Sequence, residues 1–199
     1  GMTVRYLFRE TYDVRPGTVM LFHAAAGGVG IIACQWAKAL GATMIGTVGS
    51  PEKADMARAH GCTHVIDYRR ENFVDRVHEI TGGQGCDVVY DSIGRDTFPA
   101  SLDCLKPKGL WVSFGTASGP VPPFDLSLLK GSLFATRPSL MPYTATAEAL
   151  RSNAADLFAH VAAGRIAIRV NQTYALGDAE QAHRDLEARK TTGSSILIP

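Results

Sequence analysis

The stretch His23-Ala-Ala-Ala-Gly-Gly-Val-Gly30 constrains the fold more than any other part of the chain. It lies between two apolar runs, residues 18–22 and 31–37. Small residues where a strand turns into a helix let something approach the backbone closely. Read backwards from Gly30, Ala25-x-Gly27-x-x-Gly30 nearly matches the glycine fingerprint of dinucleotide-binding βαβ units, with Ala at its first position. In that pattern the second glycine admits a pyrophosphate, and the third lets the helix pack closely on the strand. The helix N-terminus turns free N–H groups and the positive end of its dipole toward the phosphates.

Apolar periodicity around this turn alternates between strand and helix. Residues 18–23 read as a buried strand and 30–40 as a helix with apolar side chains at 31, 32, 36, 37 and 40, stopped by Gly41. Strand signals follow at 43–48, 64–67, 86–91, 110–114 and 132–137. Between them lie helix signals at 50–60, opened by Ser50-Pro51, at 72–81, and at 96–105 with Pro99 in the first turn. Residues 118–123 read as loop and 126–130 as a helical turn. Near-continuous apolar strands alternating with helices predict an α/β fold, a doubly wound parallel Rossmann sheet of about six strands with helices on both faces. After Pro142 the character changes. A helix is expected at 144–163, an extended segment at 166–176, a helix from an Asp178-x-x-Gln181 capping box to about 190, and a last strand at 195–198. The expected division is therefore a nucleotide domain over 1–142 and a helical and extended C-terminal segment over 143–199.

With 46% hydrophobic residues the chain can bury a large core, and its net charge of +1 gives nucleic-acid binding no electrostatic support. No apolar stretch approaches the roughly 20 residues of a membrane helix, and no leader pattern opens the chain. Cys34, Cys62, Cys86 and Cys104 form no C-x-x-C pair, so they read as separate buried thiols of a cytoplasmic protein and not as a zinc site. His23 reads as a packed or backbone-bonded ring.

The end of the second strand bears on cofactor choice. An NAD-preferring chain places Asp or Glu there to hold the ribose 2′-hydroxyl. Here Gly49 and Ser50 occupy the tip, Glu52 lies in the first helical turn, and Lys53 follows. A cation in that turn is unfavourable by roughly 0.3–1 kcal/mol, which a 2′-phosphate would offset. Tyr68, just past the third strand, can lie over the same end of the adenosine.

His23–Gly30, then Ala33-Cys-Gln-Trp-Ala-Lys-Ala-Leu-Gly-Ala42, Tyr90-Asp-Ser-Ile-Gly94, Ser113-Phe-Gly115, Thr136-Arg-Pro-Ser-Leu140 and Gly193-Ser-Ser-Ile-Leu-Ile-Pro199 resemble the NADPH:quinone oxidoreductases of the medium-chain dehydrogenase/reductase superfamily. The likeness is to the zinc-independent quinone reductase and zeta-crystallin branch. It implies that Gly27, Gly28, Val29 and Gly30 hold the pyrophosphate of NADP(H). Gly49, Ser50, Lys53 and Tyr68 would hold the 2′-phosphate and adenosine. Ser92 and Ser113, Phe114, Gly115 and Thr116 would border the cofactor at strand ends, and Tyr6 would flank it. Arg137 and Pro138 would border the nicotinamide amide, and Arg189 would reach back to the phosphates. No catalytic residue and no metal ligand is expected.

In that family a GroES-like catalytic domain precedes the nucleotide domain, and the C-terminal segment completes or joins it. The chain starts inside the helix that leads to the first strand, so that domain is expected to be missing and turnover by these residues alone to be low. The resemblance implies hydride transfer from NADPH to a quinone or a similar α,β-unsaturated carbonyl. Two rivals remain, an enoyl reductase domain of the same superfamily and a non-catalytic nucleotide-binding sensor. A homodimer through the edge strand 132–137 is also expected.

Overall fold

The computed structural model describes residues 1–188 and 190–199. Six strands, β1 (Val19–Phe22), β2 (Thr43–Val48), β3 (His64–Asp67), β4 (Cys86–Asp91), β5 (Leu105–Ser113) and β6 (Phe134–Thr136), form one sheet in the order β3-β2-β1-β4-β5-β6. Every pairing is parallel. The strand order reverses between β1 and β4, and open α/β sheets bind ligands outside the strand C-termini at such a point.

Side chains alternate across this sheet, and both faces are covered. Met20, Phe22, Met44, Val88, Tyr90 and Val112 pack under α1 (Met2–Tyr6), α2 (Gly28–Ala39) and α3 (Pro51–Ala59). Leu21, Ile45, Ile66, Val89 and Trp111 pack under α4 (Phe73–Ile80) and α5 (Ala100–Asp103). Strands β1, β2, β4 and β5 thus bury odd and even positions alike, which explains their apolar runs in the sequence. Helices α3 and α4 start on side-chain caps, the first of them the expected Ser50. Ser50 Oγ accepts the Lys53 N–H at 3.3 Å, and Asn72 Oδ1 accepts that of Val74 at 2.9 Å. Gly41 ends α2 at φ +71°.

Beyond α6 (Leu140–Tyr143), α7 (Ala147–Ala162) packs on α1, where Arg5 bonds Asp156 at 3.3 Å. The remaining strands, β7 (Val170–Ala175) and β8 (Ser194–Ile198), form a separate parallel pair, with α8 (Ala179–Glu187) between them in sequence. The C-terminal segment is tied to α2 and to the nucleotide turn before it. The Gln35 amide exchanges hydrogen bonds with the Ala167 backbone at 2.7 and 3.2 Å, and Gly193 N–H donates to Ala26 O at 3.1 Å.

Three expectations are corrected. The helix expected at 96–105 is only Ala100–Asp103, because the Asp91 carboxylate gathers the Ile93 and Gly94 N–H groups and the Thr97 hydroxyl into turns. Strand β5 starts at Leu105, five residues before the expected 110, because the Lys106 ion pair with Asp87 and the Cys86 N–H bond to Cys104 O extend the pairing. The capping box at Asp178 does not form. A 3-10 turn over Leu176–Asp178 leaves Asp178 at φ −95°, ψ 18° with no side-chain cap, and Gln181 bonds Asp185 at 3.0 Å. As expected, the chain begins in a helix, α1, which runs on into a wider π-turn over Leu7–Thr11.

Candidate functional site

A cleft of about 410 Å³ opens at the C-terminal ends of β1, β2 and β3. Its floor is the turn from His23 to Gly28 and the N-terminus of α2. The first-turn N–H groups of a helix have no intrahelical acceptor, so this floor offers donors to an anion. The left-handed residue of the turn is Ala24, at φ +57°. Ala25, which replaces the first fingerprint glycine, does not need that conformation. Its methyl fits because the neighbouring strand carries Gly46, where an added Cβ would lie 2.5 Å from the Ala25 Cβ and 2.7 Å from Cys62 Sγ. Gly30 is held to hydrogen by backbone, since a Cβ there would meet Ala24 O at 2.4 Å and the Ala25 carbonyl at 2.6 Å.

Beyond the C-terminal end of β2 the cleft is lined by Gly49, Lys53 and Tyr68. A Cβ at Gly49 would stand 2.5 Å from the Tyr68 hydroxyl, so a side chain there would displace the Tyr68 ring. Ser50 sits beneath as the cap of α3 and orients the turn that carries Lys53. The far wall is Leu186, Thr191, Thr192 and Gly193 from the C-terminal segment. Gly193 bridges Gly27, and its carbonyl lies where a Gly28 Cβ would be, at 2.9 Å.

Gly27, Gly28, Gly49, Lys53 and Tyr68 are thus brought into one cleft, as anticipated. Val29 and Gly30 lie in the first turn of α2. Ser92 and Gly115 meet at the ends of β4 and β5, where a Gly115 Cβ would be 2.8 Å from Ser92 O. Ser113 pairs with Asp91, Phe114 N–H bonds Asp91 O at 2.8 Å, and Thr116 O accepts the Gly119 N–H at 2.9 Å. These residues border the cleft's neighbour loops without lining it. Tyr6 lies away from it, 2% exposed and stacked on Tyr143 at 4.5 Å, and burial pushes its hydroxyl pKa up to about 12. Arg137 is exposed and Pro138 buried after β6, outside the cleft. Arg189 lies outside the described residues.

Sequence reasoning passed over His23, Thr47, Phe73, Thr97 and Thr191–Thr192, all of which line the cleft. Their types carry no motif; only the sheet and the folding-back of the C-terminal segment bring them here. Under the floor, His23 (1% exposed) bonds Thr47 Oγ1 through Nδ1 and Ser101 Oγ through Nε2, both at 3.0 Å. Ser101 donates to Asp91 Oδ2 at 2.9 Å. Asp91, fully buried, also accepts from Ile93 N, Gly94 N, Thr97 Oγ1 and, at 3.4 Å, Trp111 Nε1. Burial raises its pKa, but His23 and the donors from Gly94, Thr97 and Ile93 outweigh that and hold it below the ordinary value. Burial pushes the His23 pKa down, against the attraction of Asp91.

A family described as zinc-binding dehydrogenase matches residues 28–159. The chain belongs to that family. Over its whole length it is 56% identical to a quinone oxidoreductase of Pseudomonas aeruginosa, and it covers 62% of that protein. It superposes on the crystal structure of an Escherichia coli quinone oxidoreductase complexed with NADPH at a TM-score of 0.97 and 55% identity, covering 100% of this chain and 62% of that one. A 2-haloacrylate reductase of a Burkholderia species is 47% identical over all of this chain and 61% of its own. The chain thus spans a little over three fifths of the length of the curated relatives it matches. Despite the family's description, no group of three or more His, Cys, Asp or Glu among the described residues could hold a metal ion. No described helix is long and apolar enough to cross a membrane.

Proposed function

We propose that this chain is the NADPH-binding portion of a reductase that passes hydride to a quinone or a similar α,β-unsaturated carbonyl. The observation that carries this reading is the convergence of the Gly27–Gly28 floor with Gly49, Lys53 and Tyr68 in one cleft whose β2 tip carries no acid. The glycines keep the backbone bare where a pyrophosphate or ribose would approach, and a Cβ at Gly28 would lie 2.9 Å from Gly193 O and one at Gly49 2.5 Å from the Tyr68 hydroxyl. The α2 N-terminus and the Gly27–Gly28 backbone hold the pyrophosphate. Lys53 would hold the 2′-phosphate, and Gly49, Ser50 and Tyr68 would hold the adenosine. NADPH supplies the hydride; the protein supplies orientation and a low-dielectric wall. The relatives named above, a quinone oxidoreductase complexed with NADPH and a 2-haloacrylate reductase, support both the cofactor and the substrate class. In this reading residues 1–142 form the nucleotide domain. Residues 143–199 serve the substrate side and lend Leu186 and Thr191–Gly193 to the cleft.

Removing a charge-assisted phosphate contact costs about 1.5–3 kcal/mol. Lys53→Ala is therefore expected to weaken NADPH binding roughly 10- to 150-fold by fluorescence titration, with NADH affinity changed less than twofold. Equal affinity of the unmodified chain for NADPH and NADH would sink the reading.

The same reading includes a homodimer. Strand β6 pairs only with β5 in the described sheet, so its outer edge is open, and Phe134 on it is 61% exposed. Two-fold pairing of such edges would make one continuous sheet. Light scattering is expected to return twice the 21.3 kDa of one chain; a monomeric mass at assay concentration counts against it. We place the protein in the cytoplasm, in keeping with four buried cysteines that are all free thiols.

A further inference from the structure

We infer that His23 is a positioning residue of the nucleotide site, acting through the buried chain Thr47–His23–Ser101–Asp91. This rests on the NADPH reading above. The chain crosses four elements: Thr47 on β2, His23 at the end of β1, Ser101 on α5 and Asp91 on β4. The direction of its hydrogen bonds follows from the carboxylate. Asp91 accepts from five donor groups, so it is ionised and offers no proton. Ser101 spends its single hydroxyl proton on Asp91 and must therefore accept from His23 Nε2–H. The neutral ring then presents Nδ1 as an acceptor to the Thr47 hydroxyl.

This arrangement over-determines the turn that opens the glycine loop. Thr47 holds the turn twice, through its hydroxyl to the His23 ring and through its carbonyl, which accepts the Ala25 N–H at 3.0 Å. His23 N–H also donates to Tyr90 O at 3.0 Å, and the Phe73 ring stands edge-on against the imidazole at 5.1 Å. The next residue, Ala24, is in the left-handed region, where a residue with a Cβ stays only if its surroundings hold it. The imidazole is thus the brace between Asp91, deep under the sheet's C-terminal edge, and the donors that face the pyrophosphate.

The test uses the full chain with His23→Leu, His23→Gln and Ser101→Ala. Glutamine offers one acceptor and one donor, in the polarity of the Nε2–H imidazole, and so serves as the rescue. In the unmodified chain, ¹⁵N-correlated spectra of His23 are expected to show the proton on Nε2 alone. His23→Leu is expected to speed amide exchange at Ala25 and Gly27 at least tenfold and to weaken NADPH binding at least tenfold. His23→Gln is expected to bring both to within threefold of the unmodified chain. Should His23→Leu not fold, Ser101→Ala carries the same readouts, with a smaller change in the same direction. A proton on Nδ1, exchange and affinity within twofold in His23→Leu, or His23→Gln as impaired as His23→Leu each overturn the inference. Failure of the unmodified chain to bind NADPH overturns the functional reading instead, and amide exchange at Ala25 and Gly27 then decides the role of His23 by itself.

Discussion

Gly30→Ala is expected to lower the stability of the chain by about 3 kcal/mol, the upper part of the range for overpacking, and to abolish measurable NADPH binding. The added methyl would lie 2.4 Å from Ala24 O and 2.6 Å from both Ala25 C and O. All three are backbone atoms, so no rotamer change relieves the overlap. The first turn of α2 must move off the end of β1, and its N–H groups move with it. In a chain of this size that loss corresponds to about 6–12 °C in Tm. Gly177→Ala is the control. Nothing lies within 4 Å of a Cβ there and its φ is unremarkable, so its effect is expected to stay within about 0.5 kcal/mol. A Gly30→Ala protein with unchanged Tm and unchanged NADPH affinity would show that strand and helix are not in contact at this point.

Asp91→Ala is expected to cost about 3–5 kcal/mol, read by denaturant or thermal unfolding. Removing the carboxylate leaves the Ile93 and Gly94 N–H groups, the Thr97 and Ser101 hydroxyls and the Trp111 indole without their shared acceptor in a dry site. Each buried donor left unpaired costs about 1–3 kcal/mol, and partial relaxation keeps the sum below five independent losses. The pH dependence follows from the lowered pKa of this group. The folded state prefers the ionised carboxylate, so its contribution is fully present above the unfolded-state value near 3.8. It is lost as pH falls through the depressed folded-state value. Asp91→Asn is expected to flatten that part of the acid unfolding curve. A variant as stable as the unmodified chain would mean that water, and not protein, satisfies these donors.

Much of this is legible in the amino-acid sequence. The period of the apolar runs, the Ser50-Pro51 start of α3, the stop at Gly41 and the turn at 23–30 are local features. They require residue types at short spacings, and the doubly wound parallel sheet follows from them because parallel strands need crossover helices. Lys53 with no acid at the tip of β2 was local in the same sense. What failed locally failed for nonlocal reasons. A helix over 96–105 has acceptable propensity, but Asp91 draws the backbone of 93–94 and the Thr97 hydroxyl to itself, and only four residues remain helical. The Asp178 box has the right letters, but the preceding 3-10 turn puts its backbone outside the capping conformation.

The strands and helices, the glycine turn and the cation at Lys53 after an acid-free β2 tip follow from neighbours within a few residues. Three further features depend on contacts between residues far apart in the chain. An alanine serves at the first fingerprint position because Gly46, 21 residues on, leaves room for its methyl. The cleft has a second wall because Gly193 comes back to bond Ala26. His23, which looked like a packed ring, joins Thr47 to a buried carboxylate 68 residues away through Ser101. The physical reason is common to all three. Steric room and hydrogen-bond partners in a packed interior are supplied by whichever chain segment lies adjacent in space, and the local alphabet does not encode which one that is.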